Sequence, residues 1–395
     1  MTSKRSSIGL RSALAILAVT LIEASTWAAP REKVLYSFGR QGGDGLYSVI
    51  FDASGNFYGT TYFGGAFNAG TVFEVMHKAS GGWTEKNLFD FSDGAEGAYP
   101  SAGLTVDVAG NLYGPTYAGG AHGVGTVFEL SKTRKESLRY SFAGGTDGCY
   151  PFGALLVDKA DNLYGTTLNC GTSGYGTVFK LSKSGKETVL HSFAGGSSDG
   201  EYPFSTSLLM DKNGNLYGVT KQGGSSNEGV VYKLSTGGKL TVLHSFAGGT
   251  RDGCIPYGTL AMDKQGNLYG TTTGCGSSSD GIVWRVSNKG AEIVLHNFTG
   301  NASDGAGPLA GVVMDAKGNL YGTTFTGGAY NYGTVFEVTP KAGGSWTEQV
   351  LHSFGNGHDG VSPQAGLIFD ASGNIYGTTY AGGTYGGGTV FEVTP

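Results

Sequence analysis

One couplet recurs seven times along the chain: Asn162-Leu163-Tyr164-Gly165-Thr166-Thr167, followed nine residues later by Gly176-Thr177-Val178-Phe179. The asparagines that open the copies are Asn56, Asn111, Asn162, Asn215, Asn267, Asn319 and Asn374, spaced 55, 51, 53, 52, 52 and 55 residues apart. A period of this size marks a repeat architecture, in which each unit buries its faces against its neighbours. Glycine, at 72 of 395 residues, sits at fixed places between apolar and aromatic positions. That placement reads as turns and bulges, since disordered and collagen-like chains lack such a pattern.

Within the third repeat four short segments carry β-branched, apolar and aromatic residues, mostly at period two: 154–158 (A), 162–167 (B), 176–181 (C) and 188–193 (D). A five-residue turn joins A to B in every copy, with aspartate first (Asp52, Asp107, Asp158, Asp211, Asp263, Asp315, Asp370) and asparagine last. Such a turn needs a residue at positive φ and an oxygen that accepts from its own amides. Four antiparallel strands per unit of about 50 residues predict an all-β, seven-bladed β-propeller. Strand A, entered by small residues such as Ala102-Gly103 and Gly153-Ala154, is placed innermost. The strand B tyrosine and the strand C aromatic (Phe73, Phe128, Phe179, Tyr232, Trp284, Phe336, Phe391) are placed between blades. The chain begins with a D-like segment and ends on a C strand, so residues 34–38 are expected to pair with 389–393 and close the ring, removing two sheet edges.

Residues 1–28 have the layout of a secretory signal peptide: Lys4, Arg5 and Arg11, an apolar run from Ala13 to Ile22, then Thr26 and Ala28 before the expected cleavage site. The run is about half of the roughly 20 residues needed to span a bilayer, which sets aside a membrane anchor. Cleavage would remove three basic residues and Glu23, taking the net charge from −5 to −7 and leaving 29–395 as one propeller domain. No basic stripe appears, which argues against nucleic acid and anionic membranes as partners. Cys149 and Cys170, and Cys254 and Cys275, are each 21 apart at equivalent positions of the third and fifth repeats. Two intra-repeat disulfides are expected, hence an oxidising compartment; free thiols or a metal site are the alternatives.

The units, written as NLYGTT…GGxxxxGTVFEL followed by VLHSF and a DGxxP loop, closely resemble the GloVer (Gloeo_Verruco) tandem repeat found in exported bacterial proteins, over about residues 34–395. The strand order also resembles NHL-type propellers. The resemblance brings no catalytic residues with it. Members often carry a C-terminal sorting segment; this sequence ends at Pro395 without an apolar tail, so release from the cell is the expectation.

Strand alternation puts the D-to-A and B-to-C loops on one face, the default ligand surface. Seven D-to-A loops carry Asp-Gly (Asp44, Asp93, Asp147, Asp199, Asp252, Asp304, Asp359), six followed by proline. Their recurrence in every blade favours turn capping over calcium binding or paired-acid glycoside cleavage. The turn at Asp211 lacks the closing acid of a calcium loop, so no metal site is assigned and no cofactor expected. His191, His244, His296 and His352 share one strand D position and read as surface or packing residues; His122 is a lone histidine in a loop. No Ser-His-Asp or Cys-His set, HExxH or P-loop appears. The ligand-binding candidates are Tyr99, Tyr150 and Tyr202, each before a loop proline, with Tyr117 and Tyr380 in B-to-C loops, residues suited to stacking on sugars or gripping a peptide. The expectation is a monomeric, secreted or cell-surface, non-catalytic propeller binding an extracellular polysaccharide or protein. The alternative is a hydrolase or lyase with acids and histidine near the axis.

Overall fold

The computed structural model describes residues 30–39, 45–204 and 207–395; the expected signal peptide and Asp44 lie outside these. Seven four-stranded antiparallel sheets follow one another along the chain, as the period requires. In blade III strand A is Leu156–Val157, B is Leu163–Asn169, C is Thr177–Leu181 and D is Glu187–Ser192. Blade VII takes its A, B and C strands from Ile368–Phe369, Ile375–Thr378 and Gly386–Thr394, and its fourth is Arg31–Gly39 from the other end of the chain. In that pairing Val34 faces Phe391 and Ser37 faces Thr389. Among the described residues the one helical element is a single 3-10 turn, Gly145–Asp147, and no helix is long and apolar enough to cross a membrane.

Each A-to-B turn is built in the same way. In Asp263, Oδ1 accepts from the amides of Gln265 and Asn267, and Oδ2 accepts from Asn267 Nδ2 and the Tyr269 hydroxyl. All seven turns repeat the pattern, so the strand B tyrosine also has a polar role that its spacing alone did not show. Burial raises the pKa of Asp263, but the four donors outweigh it and the net shift is downward.

The cores lie between blades. Each buried cluster draws on two neighbours, as when Tyr113, Val127 and Phe142 of blade II meet Leu155, Leu163, Phe179 and Leu181 of blade III. At every junction the phenylalanine closing strand D packs edge to face on the strand C aromatic of the next blade, with ring centroids 4.8 Å apart at Phe38–Phe73 and 5.5 Å at Phe246–Trp284. Such a pair contributes about 0.5–1.5 kcal/mol beyond area burial. Space for the strand C ring is left by the strand B glycine: a Cβ on Gly165 would stand 2.7 Å from Phe179 Cζ.

A second lock joins the loops. The residue before the loop proline donates its N–H to the preceding blade's B-to-C loop, from Tyr99 to Ala69, Tyr150 to Val124 and Tyr202 to Tyr175, at 2.7–2.9 Å. The proline then seats on the glycine that opens the preceding strand C. A Cβ on Gly70, Gly125, Gly176, Gly229, Gly281 or Gly333 would fall within 3.0 Å of the next blade's proline Cδ; at the closing junction Leu46 takes the proline's place over Gly388.

Gly125→Ala, at φ +102 and under Pro151, should lower stability in urea titrations by at least about 2 kcal/mol. Gly123→Ala, also at positive φ but in open space, should cost about 1 kcal/mol. Tyr232→Phe should raise stability by about 1 kcal/mol, because the Tyr232 hydroxyl is buried without a partner. The depressed pKa of Asp263 stabilises the fold above the ordinary aspartate range, and that contribution is lost as pH falls through the lower folded value. Asp263→Asn should therefore narrow the gap between unfolding midpoints measured at pH 7 and pH 3.

Candidate functional site

The residues entering the A strands converge on the propeller axis around a cavity of about 160 Å3. Its wall includes Ala102-Gly103, Gly153-Ala154, Ala310-Gly311 and Ala365-Gly366, the small residues expected there. Contact is closest where blades V and VI meet, where a Cβ on Gly311 would fall on the Thr259 carbonyl oxygen and one on Gly258 would meet the backbone nitrogen of Gly311. Beside these small residues, the aromatic side chains of Tyr47, Phe152 and Tyr257 also line this cavity. Each directly precedes a small lining residue, Ser48, Gly153 and Gly258. The remaining polar wall is Ser48, Ser101, Ser207, Thr259 and Gln364, and among the described residues no lining side chain is a carboxylate, imidazole or amine.

Around this cavity the rings form a connected shell. Phe152 stacks on Phe204 (4.4 Å, 17°), and Phe204 meets Tyr257 edge on at 5.2 Å. Phe152 also meets Tyr47 and Tyr117, each at 6.4 Å. Tyr117 stacks on Tyr150 at 4.9 Å, Tyr62 stacks on Tyr99 at 5.3 Å, and Tyr175 meets Tyr202 edge on at 5.5 Å. Lys221 Nζ lies 5.8 Å from the Phe204 ring centre. The candidates Tyr117 and Tyr150 are thus brought together, Tyr99 and Tyr202 are each paired with a different loop tyrosine, and Tyr380 stands across the mouth near Gly45, 38 % exposed. Burial first, then the neighbouring phenols of Tyr257, Tyr62 and Tyr380, push the Tyr47 pKa up, so its hydroxyl stays neutral and can donate. Tyr47, Phe152, Phe204 and Tyr257 were missed by sequence reasoning. A signal existed for three of them: an aromatic directly follows the loop proline at Pro151-Phe152, Pro203-Phe204 and Pro256-Tyr257.

Tyr99, Tyr150 and Tyr202 all sit at φ 57°, in the left-handed region. A non-glycine residue there costs of order 1–3 kcal/mol. The equivalent position in blade VI is Gly307, at φ 58°, and its N–H makes the same bond to the preceding blade. Ile255 in blade V and Ser362 in blade VII take the same conformation, at φ 57° and 56°, and make the same bond, so the positive φ belongs to the loop lock whatever side chain it carries.

Asp147, Asp199, Asp252, Asp304 and Asp359 cap their turns as expected, as where Asp199 accepts from the amides of Ala194 and Gly200, whereas in the loop of Asp93 it is Glu96 that accepts from the Ser92 amide. The strand D histidines pack edge on against the phenylalanine that closes their strand, as His191 does on Phe193 at 4.9 Å, and they also pair with the loop aspartates. His191, His244, His296 and His352 place Nε2 at 3.0, 3.4, 3.1 and 2.9 Å from Asp199, Asp252, Asp304 and Asp359. In blade II Tyr140 takes the histidine's place and donates to Asp147 at 2.7 Å. These pairs belong to the outer strands, so the acid and histidine groups that the enzymatic alternative needs near the axis stand on the rim. At three junctions a glutamate of the next blade stands beside them, Glu292, Glu348 and Glu32; burial is the main cause pushing all three carboxyls up to about 7. At Asp211 both carboxylate oxygens already accept from Asn213, Asn215 and Tyr217, which accounts for that turn without calcium.

Two disulfides, Cys149–Cys170 and Cys254–Cys275, tie the D-to-A loop to the B-to-C loop within blades III and V, with Cα atoms 5.4 and 5.3 Å apart. Both loops therefore lie on one face, the face onto which the aromatic shell opens.

Comparison with solved structures finds propellers. Superposition on the extracellular domain of BT4673, a provisionally assigned one-component system of B. thetaiotaomicron, gives a TM-score of 0.53 at 11 % identity, covering 92 % of this chain and 40 % of that one. At that identity the likeness speaks for the fold alone. A structure provisionally assigned as a gluconolactonase aligns with a TM-score of 0.40 at 11 % identity over 93 % of this chain and 92 % of its own, too loosely to carry an argument. No protein of curated function matches the sequence. The Gloeobacter/Verrucomicrobia repeat matches residues 23–208, 135–313 and 276–395, nearly the whole of the described chain. With seven copies of that repeat closed into a ring, this protein belongs to the Gloeobacter/Verrucomicrobia repeat family.

Proposed function

We propose that this propeller is an exported binding module that holds a neutral extracellular polysaccharide on its loop face, at the aromatic mouth of the axis. The observation that carries the reading is the chemistry of that mouth. Aromatic rings surround a cavity whose polar groups are hydroxyls, one amide and backbone, with no ionisable side chain other than tyrosine in the lining among the described residues. Sugars offer C–H faces for rings and hydroxyls for such neutral groups, and a few placed polar groups in an aromatic site fix orientation. Two disulfides at the rim of this face support export, because such bonds persist in oxidising compartments. A surface protein is the second ligand class, and the screen that tests the first also reads it.

The purified full-length protein, passed over arrays of neutral and acidic glycans and of peptides, is expected to bind neutral glycans saturably. Tyr150→Ala combined with Phe152→Ala should weaken that binding at least tenfold, with the circular dichroism spectrum unchanged. Binding confined to peptides or acidic glycans, unchanged affinity in the folded double variant, or turnover of the bound glycan would overturn the reading.

A further inference from the structure

On the outer rim, away from the aromatic mouth, two blade junctions bring together an imidazole and two carboxylates. At the IV–V junction these are His244 and Asp252 of blade IV with Glu292 from strand D of blade V; at V–VI they are His296, Asp304 and Glu348. In each group one donor atom per residue lies within 4.8 Å of the others. The aspartates are positioned by their turns: Asp252 accepts from the amides of Ala247 and Gly253, and Asp304 from those of Thr299 and Gly305.

The glutamates are the anomaly. Glu292 Oε1 and Glu348 Oε1 are closed to solvent and have no hydrogen-bond partner, a condition they share with Glu32, Glu136 and Glu187 at the same strand D position, and at the IV–V junction His244 Nε2 is unpartnered as well. Buried polar atoms without partners are rare and costly, so each needs a reason. The III–IV junction shows the arrangement without glutamate, because Leu240 stands at that strand position. There the imidazole closes on the carboxylate, with His191 Nε2 at 3.2 and 3.0 Å from the two oxygens of Asp199. At V–VI, with Glu348 present, His296 Nε2 still hydrogen-bonds Asp304 Oδ1 at 3.1 Å, whereas at IV–V His244 Nε2 stands 3.4 Å from Asp252 Oδ2 without hydrogen-bond geometry. Ligands on a tetrahedral centre with bonds of roughly 2.0–2.2 Å lie about 3.3–3.5 Å apart, so this spacing is that of two donors sharing a cation. One imidazole nitrogen with two carboxylate oxygens suits a divalent first-row transition metal, zinc foremost, and leaves a coordination position for water.

We propose that the two junctions are metal sites, with His244, Asp252 and Glu292 as ligands of one ion and His296, Asp304 and Glu348 as ligands of the other. Each ion accepts from the orphaned carboxylate oxygen and ties the outer strand of one blade to that of the next. The sites have no part in the glycan reading and stand or fall separately from it.

The test uses tag-free full-length protein, stripped with EDTA and titrated with zinc chloride by calorimetry, with the metal retained after gel filtration measured by atomic absorption. About two zinc ions per chain are expected. The double variant Glu292→Gln/Glu348→Gln keeps the side-chain shape and should bind zinc at least 100-fold more weakly, whereas Glu187→Gln, at a junction where Tyr140 replaces histidine, should keep both ions. Should the double variant fail to fold, X-ray absorption at the zinc edge of the wild-type protein decides: one imidazole per zinc among oxygen ligands supports the assignment. No retained zinc in the wild type, full retention in the folded double variant, or two or more imidazoles per ion would overturn it.

Discussion

The edge-to-face contact between the phenylalanine that ends one blade and the aromatic at the centre of the next is what the rest of this structure depends on. It occurs at all seven junctions, with both rings buried. A single sheet of this kind has two apolar faces and cannot stand alone in water, so stability comes from the interfaces, one per repeat. The aromatic pair fixes how far apart neighbouring sheets stand. The proline seated on the next-door glycine fixes their rotation at the loop end, because neither the ring nor the positive φ tolerates another arrangement. Since these contacts recur, every blade presents its loops to the same side, and a shared face exists on which side chains from several repeats can be combined.

Much of this is legible in the sequence, and the reason is redundancy. Seven copies of a turn with aspartate first and asparagine last leave little room for misreading a hairpin, and two cysteine pairs at matching positions specify their own partners. What stays hidden are side-chain contacts within and between units. The bond from the strand B tyrosine to its turn aspartate spans six residues, yet a periodic tyrosine is also what a purely apolar core would show. The pairing of His296 with Asp304 looks from the sequence like two separate structural roles, because sequence gives no distance between a strand and the loop that follows it. The axial aromatics escape notice because the more conspicuous tyrosines come before each proline, and Phe152, Phe204 and Tyr257 come just after it.

The molecule divides its chemistry by radius. Near the axis the groups are neutral rings, hydroxyls and backbone; at the perimeter stand the ionisable clusters of histidine, aspartate and glutamate. The division follows from packing. Little volume is left where the A strands meet, and an unpaired charge there would be costly to desolvate, whereas the outer strands can still reach water or a counter-charge. Blades IV and V also show how repeats diverge without losing the frame: Tyr232 and Trp284 replace phenylalanine at the same core position and leave a polar atom without a partner.

The last sheet is completed by Arg31–Gly39, so a segment made early is held by one made late. Bringing together strands more than 350 residues apart carries an entropic cost that grows only with the logarithm of the intervening length, about 5 kcal/mol, which one full strand pairing offsets. On the proposed route of export, a polypeptide threaded through a translocation pore in an extended state cannot latch until its tail has emerged. The ring is therefore compatible with passage as a linear thread and becomes locked on the far side, where the same environment can oxidise its cysteines.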